Sequence, residues 1–543
     1  MNSEEKHKFQ FTWQEKNIDY IVVPILIFAG AYMLAYYFEY KWNQSLLGQR
    51  TMLFFFTGLF VYLIRPQAKI HHIRMDQLKK VHKLMIGFII TVTCMVAFCT
   101  MKVSDFWSDG GPDYQFQYEE MTEAILDGHL YLDLEISPEL AAMDNPYDSG
   151  ARGSQGVSFY WDHAFYNGHY YMYFGVVPVL LIMLPFRLIG ISLYSYQATQ
   201  IFVVCIILGM FCLFRQIVRR MCSEMPLSAF LSIAVATSWV TIWYGVKYPA
   251  MYCTANTGGI CLAVWGFYFC YRAFIIDTDT KKTMLHGLIG GVCSALTFGC
   301  RPTIGLFCLI LLPMLWAYFK KCRNRMEFLK SFLVFCIPFI VVAILLMTYN
   351  YARFDSPFEF GQSYQLTTVD QHDYSSNEIK ISKIISGIYY HFFYYEDVSD
   401  TFPFIHHDGN LVTFPVLLIA FISFGMANVR DKGQTMVKGL PIMTVISVGI
   451  IMSYHVIWAP IVFRRYSMDF IFMLCFLVMF GSCGMFWNKV NHAGISFWLT
   501  VLAAYTCVIC FLLYFVAYDY SIADRQGEIL EQVRRLVIFW KPL

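Results

Sequence analysis

The sequence predicts an all-α polytopic membrane protein, and three observations support this fold class. Of the 543 residues, 57% are hydrophobic and only 14% are charged, whereas an average soluble protein has roughly 25% charged residues. Apolar runs recur along nearly the whole chain and reach the roughly 20 residues that a helix needs to cross a membrane. Lysine and arginine concentrate in one alternating set of connections. The net charge of +2 gives no reason to expect a nucleic-acid partner.

The hydrophobic runs predict about 13 transmembrane helices. These begin near Tyr20, Thr51, Leu84, Tyr194, Pro226, Tyr252, Met284, Thr303, Phe328, Leu411, Gly439, Ser467 and Gly494. A further apolar stretch, residues 174–190, contains Pro178 and Pro185. Because proline interrupts a helix, we expect this stretch to be an interfacial or half-buried helix that does not cross.

The basic connections assign the two sides of the membrane. They contain Arg65, Lys69, Arg74, Lys79, Lys80, Lys83, Arg215, Arg219, Arg220, Lys320, Lys321, Arg323, Arg325, Arg430, Lys432 and Lys438. All of them fall on one side, which the positive-inside rule makes cytoplasmic. Two long polar loops then face outward: loop 1, residues 102–173, and loop 2, residues 350–410. Neither loop contains cysteine, so disulfide bonds are not expected there.

Three segments are predicted along the chain. Residues 1–83 form an N-terminal cytoplasmic tail with two extra spans. Residues 84–487 form the transmembrane core and include both outer loops. Residues 488–543 contain the last span and an amphipathic tail, because apolar and charged residues alternate there at helical spacing.

Loop 1 is rich in carboxylates and begins with a turn directly after a span. Gly110, Gly111 and Pro112 favour that turn, which would hold Asp109 and Asp113 at the membrane surface. A carboxylate in apolar surroundings has a raised pKa and could act as a general base. The alternative is that both residues only cap the turn in water. The run 118–128 predicts a short helix that ends at a glycine cap.

Aromatic and hydrogen-bonding residues alternate later in loop 1, where Trp161, Asp162 and His163 follow one another. Such faces bind sugars, although a loop that lies on a bilayer has the same composition. His406, His407 and Asp408 in loop 2 could supply nitrogen and oxygen ligands to a divalent metal ion. Adjacent residues rarely ligate one ion well, so this is only a candidate cofactor site.

Four arginines lie at the outer ends of predicted helices, namely Arg301, Arg353, Arg464 and Arg465. A charged group beside lipid needs a partner. Phosphate is one such partner, because the guanidinium fork matches its oxygens. Pairing with the carboxylates of loop 1, or contact with lipid headgroups, is the alternative.

These features resemble the GT-C superfamily of membrane glycosyltransferases, especially bacterial family 39-like members such as the aminoarabinose and protein O-mannosyl transferases. The residues that carry the resemblance are Asp113, Tyr118, Ala124, Leu126 and Gly128, the segment 170–178 with Tyr173, Arg301-Pro302, the segment 350–361, and Arg465-Tyr466-x-x-Asp469. It covers roughly residues 84–480 in layout, although the Asp113-to-Tyr118 gap is about one residue longer than in the family and few residues are identical. No P-loop, GxSxG or GxGxxG motif is present.

The resemblance implies an inverting glycosyltransferase with its active site outside, in a bacterial cytoplasmic membrane. It implies that Asp113 is the base, with Asp109 in reserve, and that the four arginines hold the phosphate of a polyprenyl-phosphate-linked sugar. Tyr118, Trp161, Asp162, His163 and Tyr173 would bind substrate. The acceptor would be a glycan, lipid or protein. Two alternatives remain at this stage: a lipid-linked glycan flippase or transporter, and a non-catalytic subunit of an envelope-polymer assembly complex.

Overall fold

The architecture is that of a computed structural model. It describes residues 30, 46–101, 116–322, 324–372, 381–395, 402–426, 434–458, 464–487, 492–516 and 524–538. The chain divides into two compact units. The smaller unit comprises residues 1–72 and 522–543, and the larger unit comprises residues 73–521.

The smaller unit contains the first and the last helices of the described chain, α1 (Leu46–Ile64) and α20 (Asp524–Val537). They are joined by Arg50 of α1, whose Nε donates to the carbonyl of Arg535 at 3.1 Å. Because the last carbonyls of a helix have no intrahelical donors, this arginine caps the C-terminal end of α20.

The larger unit is almost entirely helical in its described part. Its α-helices are α2 (Lys80–Met101), α3 (Gln117–Asp127), α4 (Pro138–Ala141), α5 (Ser149–Ser154), α6 (Leu184–Leu188), α7 (Ser195–Met221), α8 (Leu227–Lys247), α9 (Met251–Tyr271), α10 (Thr280–Leu296), α11 (Pro302–Gly305), α12 (Leu312–Lys321), α13 (Arg325–Phe354), α14 (Ile381–Phe392), α15 (Asn410–Thr413), α16 (Ile422–Gly425), α17 (Gln434–Trp458), α18 (Met468–Met485) and α19 (His492–Tyr514). One two-stranded antiparallel hairpin, β1 (Ala164–Tyr166) and β2 (His169–Tyr171), lies in loop 1.

Nine helices in the described ranges are long and apolar enough to cross a membrane. They are Lys80–Met101, Ser195–Met221, Leu227–Lys247, Met251–Ile276, Pro302–Lys321, Arg325–Phe354, Gly439–Val456, Arg464–Met485 and His492–Tyr514. An integral membrane protein with an all-α fold is therefore confirmed, while the predicted total of about 13 is not.

The other four predicted spans differ in kind. The one near Tyr20 lies almost wholly outside the described residues. The one near Met284 corresponds to α10, which has 17 residues. The one near Thr51 corresponds to α1, which has 19 residues and contains the apolar stretch Leu53–Ile64. The one near Leu411 contains the apolar helix Pro415–Gly425, which is shorter than 18 residues. Residues 174–190 contain the apolar helix Val179–Leu188, which is also too short to span by itself.

Loops 1 and 2 pack directly against each other. Backbone N–H groups of Asp162 and Phe165 donate to the carbonyls of Leu366 and Tyr364, and the N–H of Leu366 donates back to His163. The predicted helix of loop 1 is α3, which ends at Gly128 with a φ of 90°. Its buried face packs on a core that includes Met121, Leu132, Tyr170, Met172 and Leu366. Loop 1 thus packs into a hydrophobic core that it shares with loop 2 and with the starts of α7 and α9.

Gly175 marks the place where the chain leaves loop 1 and passes the end of α10. A Cβ atom built at Gly175 would overlap the carbonyl oxygens of Gly299 and Cys300. These carbonyls belong to backbone, so they cannot move aside as a flexible side chain would. The following residue, Arg301, would be displaced with them.

We therefore expect Gly175→Ala to lower stability by about 1–3 kcal/mol, the usual range for overpacking. The measurement is the melting temperature of the purified protein in detergent. Gly153→Ala is the matched control, because nothing lies within 4 Å of a Cβ built there. Equal melting temperatures for the two variants would contradict the close approach at Gly175.

Candidate functional site

Asp469 organises a polar cluster at the start of α18. Its side chain has no exposed surface and accepts hydrogen bonds from four other side chains. Nε of Arg301 donates at 2.8 Å to each carboxylate oxygen. The remaining donors are Nδ2 of Asn256 at 2.6 Å, Oγ1 of Thr303 at 2.6 Å and Nε2 of His455 at 3.0 Å. Because a buried carboxylate is costly without such partners, Asp469 is a structural anchor.

Arg301 is held at the junction of two helical segments. It is the N-cap of α11, where Pro302 takes the first helical position that proline favours. The preceding 3-10 turn, Thr297–Gly299, receives the backbone N–H of Arg301 at the carbonyl of Thr297. Backbone and side chain are therefore both fixed, and 19% of the side chain stays exposed.

Arg465, in the turn before α18, also contributes to this site. The guanidinium carbons of Arg301 and Arg465 lie 5.9 and 5.6 Å from the ring centroid of Tyr466. The two cations therefore flank one tyrosine and are close enough to repel each other. Arg465 also lies over the ring of Tyr252, at 4.4 Å. Both arginines, like both tyrosines, remain partly exposed.

Asp162 of loop 1 supplies a second carboxylate to this site. It accepts a hydrogen bond from the hydroxyl of Tyr252 and one from Nε2 of Gln365 at 2.8 Å. Burial raises the pKa of Asp162, while the bond from Tyr252 and the charge of Arg465 act in the opposite direction. Its φ of 56° lies in the left-handed region, which aspartate tolerates better than most residues. Asp162 thus links loop 1, loop 2 and α9.

Two predicted substrate-binding tyrosines lie beside the arginines. Tyr173 is electrostatically coupled to Asp162, Arg465 and Arg301, and it is partly exposed. Tyr118 of α3 is fully buried and is coupled to Tyr173 and Arg301. The hydroxyl of Tyr118 has no hydrogen-bond partner among the described residues. The structure therefore places Arg301, Arg465, Asp162, Tyr173 and Tyr118 in one region.

Two of the four predicted phosphate-binding arginines have other contacts. Arg353 is buried and donates to the carbonyl of Met172 at 2.6 Å and to Oδ1 of Asn350 at 2.9 Å. Arg464 is buried, donates to the carbonyl of Tyr390 at 2.6 Å, and has its guanidinium 3.9 Å from the centroid of that ring. Both arginines therefore connect packed segments.

The side chains of Trp161 and His163 have different surroundings from that of Asp162, although the three residues are consecutive. The ring of Trp161 is partly exposed and lies 6.3 Å from that of Phe159. His163 is fully buried and packs against Gln117 and Glu120 of α3. The structure therefore does not present His163 to a substrate at this site.

The predicted metal ligands in loop 2 do not form a ligand set in the described structure. Nε2 of His407 lies 2.9 Å from Nζ of Lys247, and its ring stacks on Trp243. Burial and the Lys247 charge lower the pKa of His407 well below its ordinary value. In the described ranges, converging His, Cys, Asp or Glu ligand atoms occur in a different group, Asp127, His129 and Asp133. The proposed base Asp113 and its reserve Asp109 lie outside the described residues.

Several residues of the site were not identified from the sequence as functional. Asp469 was noted only as part of the late motif, and Asn256, Thr303, His455, Tyr252 and Gln365 were not singled out. One signal was available: an aspartate two residues into a strongly apolar helix is expensive unless it has a partner. The partners themselves come from α9, α11 and α17, and sequence spacing does not reveal them.

Glu119 ties α3 to the N-terminus of α7. Its carboxylate accepts hydrogen bonds from the backbone N–H of Ser195 and, at 2.9 Å, from the Ser195 hydroxyl. Burial raises the pKa of Glu119 to about 7, although these hydrogen bonds favour the ionised form. The folded protein therefore holds this proton more tightly than the unfolded chain does.

We expect the stability that depends on this proton to be full below pH 4.5 and to fall as the pH rises from about 4.5 to about 7. Glu119→Gln does not titrate and keeps an oxygen for Ser195, so its melting temperature should vary less over that interval. Melting curves of both proteins from pH 4.5 to 7.5 provide the check. Parallel pH profiles would show that Glu119 does not carry the effect.

Comparisons with known proteins identify no relative. No family model matches the chain, and no curated protein and no solved structure matches it either.

Proposed function

We propose that this membrane protein is an inverting glycosyltransferase that transfers a sugar from a polyprenyl-phosphate donor to a hydroxyl acceptor on the extracytoplasmic face. The observation that carries the proposal is the convergence of Arg301 and Arg465 on Tyr466 at the ends of membrane-spanning helices. Two guanidinium groups in that position suit a phosphate whose lipid chain lies in the membrane.

Each arginine of the site has a carboxylate near it, and the hydrogen-bond donors that stay exposed support an anionic ligand. Arg301 already has Asp469 as its counter-ion, with a hydrogen bond to each oxygen, and Asp469 is fully enclosed. Arg465 faces tyrosine rings and the carboxylate of Asp162. The exposed side of the site therefore carries guanidinium and phenol donors over a buried carboxylate. Preorganised hydrogen-bond donors stabilise a phosphate leaving group, and each such donor commonly contributes about 3–4 kcal/mol.

In the proposed reaction, a hydroxyl oxygen of the acceptor attacks the anomeric carbon from the side opposite the phosphate. The bond between that carbon and the phosphate oxygen breaks, and polyprenyl phosphate leaves with the electron pair. The proton of the acceptor hydroxyl passes to the carboxylate of Asp113. Asp113 lies three positions before Phe116, the N-cap of the helix that carries Tyr118, and an extended chain covers about 10 Å over three residues. This length is compatible with an approach to the site beside Tyr118.

The experiment uses purified full-length protein in proteoliposomes with a panel of polyprenyl-phosphate-linked sugars and extracted envelope acceptors. We expect the wild type to release polyprenyl phosphate and form a glycosylated product. Asp113→Asn should lower the rate by a factor of at least about 10² while folding normally, because general-base catalysis typically contributes that much. The control is Asp109→Asn, which should retain most of the activity.

Three outcomes would contradict the proposal or its base assignment. Unchanged transfer by Asp113→Asn would remove the base assignment. Movement of labelled lipid-linked sugar across the bilayer without any glycosylated product would support the transporter alternative instead. Absence of both activities, with specific capture of a partner from the envelope-polymer machinery, would support the non-catalytic subunit.

A further inference from the structure

A second polar cluster lies on α3, apart from the arginines. It consists of Gln117 and Glu120, three residues apart on one face of the helix, and His163 of loop 1. Gln117 and His163 have no exposed surface, and 23% of the Glu120 side chain is exposed. The proposed transfer reaction uses none of these three side chains.

The hydrogen bonds of His163 fix which ring nitrogen carries the hydrogen. Nδ1 lies 2.9 Å from the carbonyl oxygen of Trp161, which can only accept, so Nδ1 is the donor. The amide nitrogen of Gln117 also lies near Nδ1, but at the longer distance of 3.3 Å, and it donates at 2.7 Å to the carbonyl of Asp162. The shorter contact with Trp161 decides the assignment. Nε2 of a neutral His163 therefore presents a lone pair.

That lone pair faces a carboxylate oxygen. Nε2 of His163 and Oε2 of Glu120 are 3.7 Å apart. Both atoms are buried without a hydrogen-bond partner in the described part of the chain, and Oε1 of Gln117 is in the same state. Burying an acceptor without a donor costs about 1–3 kcal/mol. A hydrogen-bond donor or a cation is needed between His163 and Glu120.

The separation identifies what fits there. An N–H···O hydrogen bond spans about 2.7–3.2 Å, so 3.7 Å is too long for a shared proton alone. Two ligands bound to one divalent ion at about 2.0–2.2 Å each can lie up to roughly 4.2 Å apart. A histidine whose Nδ1–H is held by a backbone carbonyl is also the usual arrangement around a bound metal.

We propose that His163 and Glu120 bind a divalent transition-metal ion, Zn²⁺ or Mn²⁺. Imidazole and carboxylate ligands suit both ions. The ion would connect α3 to the segment that carries Asp162, directly before His163, and so hold loop 1 in place. The proposal concerns metal binding and stability, and it does not depend on glycosyl transfer.

The test measures the metal content of full-length protein purified in detergent without chelator. We expect about one equivalent of Zn or Mn per chain by mass spectrometry. Treatment with EDTA should lower the melting temperature, and adding back Zn²⁺ or Mn²⁺ should restore it. Glu120→Gln keeps the shape of the side chain, and it should lose the equivalent and the EDTA response together. His163→Gln should do the same.

The exposed group Asp127, His129 and Asp133 provides the control, because its ligand atoms lie within 4.8 Å of one another. His129→Gln should keep the metal. Retention of the metal in Glu120→Gln with its loss in His129→Gln would overturn the proposal in favour of the exposed group. A wild type without stoichiometric metal, whose melting temperature responds to neither EDTA nor added ions, would also overturn it. The wild type and Glu120→Gln decide the question even if His163→Gln does not fold.

Discussion

Asp469→Asn is expected to lower the stability of the protein by about 3–5 kcal/mol, the usual cost of removing one partner of a buried ion pair. The substitution leaves Arg301 without the carboxylate that now accepts its Nε at 2.8 Å. It also places an amide NH₂ among four side chains that donate to Asp469 in the wild type. The melting temperature in detergent should therefore fall by several degrees. Release of polyprenyl phosphate from the sugar donor should be lost as well.

A second variant separates stability from function. In Arg301→Gln with Asp469→Asn, no buried charge is left unpaired, so much of the lost melting temperature should return. Transfer should not return, because Arg301 is missing from the phosphate site. Asp355→Asn is the control, since Asp355 adopts a φ of 53°, where asparagine is equally well accommodated. A wild-type melting temperature for Asp469→Asn would show that Asp469 is not the anchor.

Hydropathy predicted most of the helices because span length and apolar content are local properties of the sequence. The predicted total of about 13 spans is not confirmed, and it includes apolar runs whose regular α-helix is short. The α10 region reads as an apolar run near Met284, yet the helix has 17 residues and gives way to a 3-10 turn at Thr297–Gly299. Near Leu411, Pro415 opens a 3-10 segment that replaces a regular long helix. Hydropathy averages do not register such changes of helix type.

The site was predictable in residue type but not in detail. Arg464 and Arg465 look equivalent in the sequence, but they lie in a 3-10 turn, Arg464–Ser467, where successive side chains point about 120° apart. One of them therefore packs on Tyr390 and the other on Tyr252. Likewise, the left-handed backbone at Asp162 turns that side chain to Gln365 while His163 faces α3.

In loop 2, the role of His407 could not be predicted because it depends on buried polar contacts between distant segments. Histidine is a common metal ligand, but the folded chain brings Nζ of Lys247 to Nε2 of His407. Nζ of Lys247 also donates to the carbonyls of Leu513 and Val516 at the end of α19. Burying an ammonium group is costly unless it has such acceptors. The local sequence does not identify them.

Arg465→Gln is expected to reduce transfer by a factor of about 10²–10³, the usual effect of losing one preorganised donor to a developing anion. The reason is geometric. Among the four predicted arginines, Arg465 shares Tyr466 with Arg301 and is electrostatically coupled to Asp162. Loss of its charge leaves one guanidinium, already neutralised by Asp469, to face the phosphate. The measurement is release of polyprenyl phosphate per folded molecule in proteoliposomes.

The neighbouring arginine gives a control with the same chemical change. Arg464→Gln removes a buried group that donates to the carbonyl of Tyr390, so its melting temperature should fall while its rate per folded molecule stays near that of the wild type. Arg464→Gln should thus lower mainly the melting temperature, and Arg465→Gln should lower mainly the transfer rate. Equal rates for the two variants would mean that the arrangement around Tyr466 does not distinguish them, and the phosphate assignment of Arg465 would have to be given up.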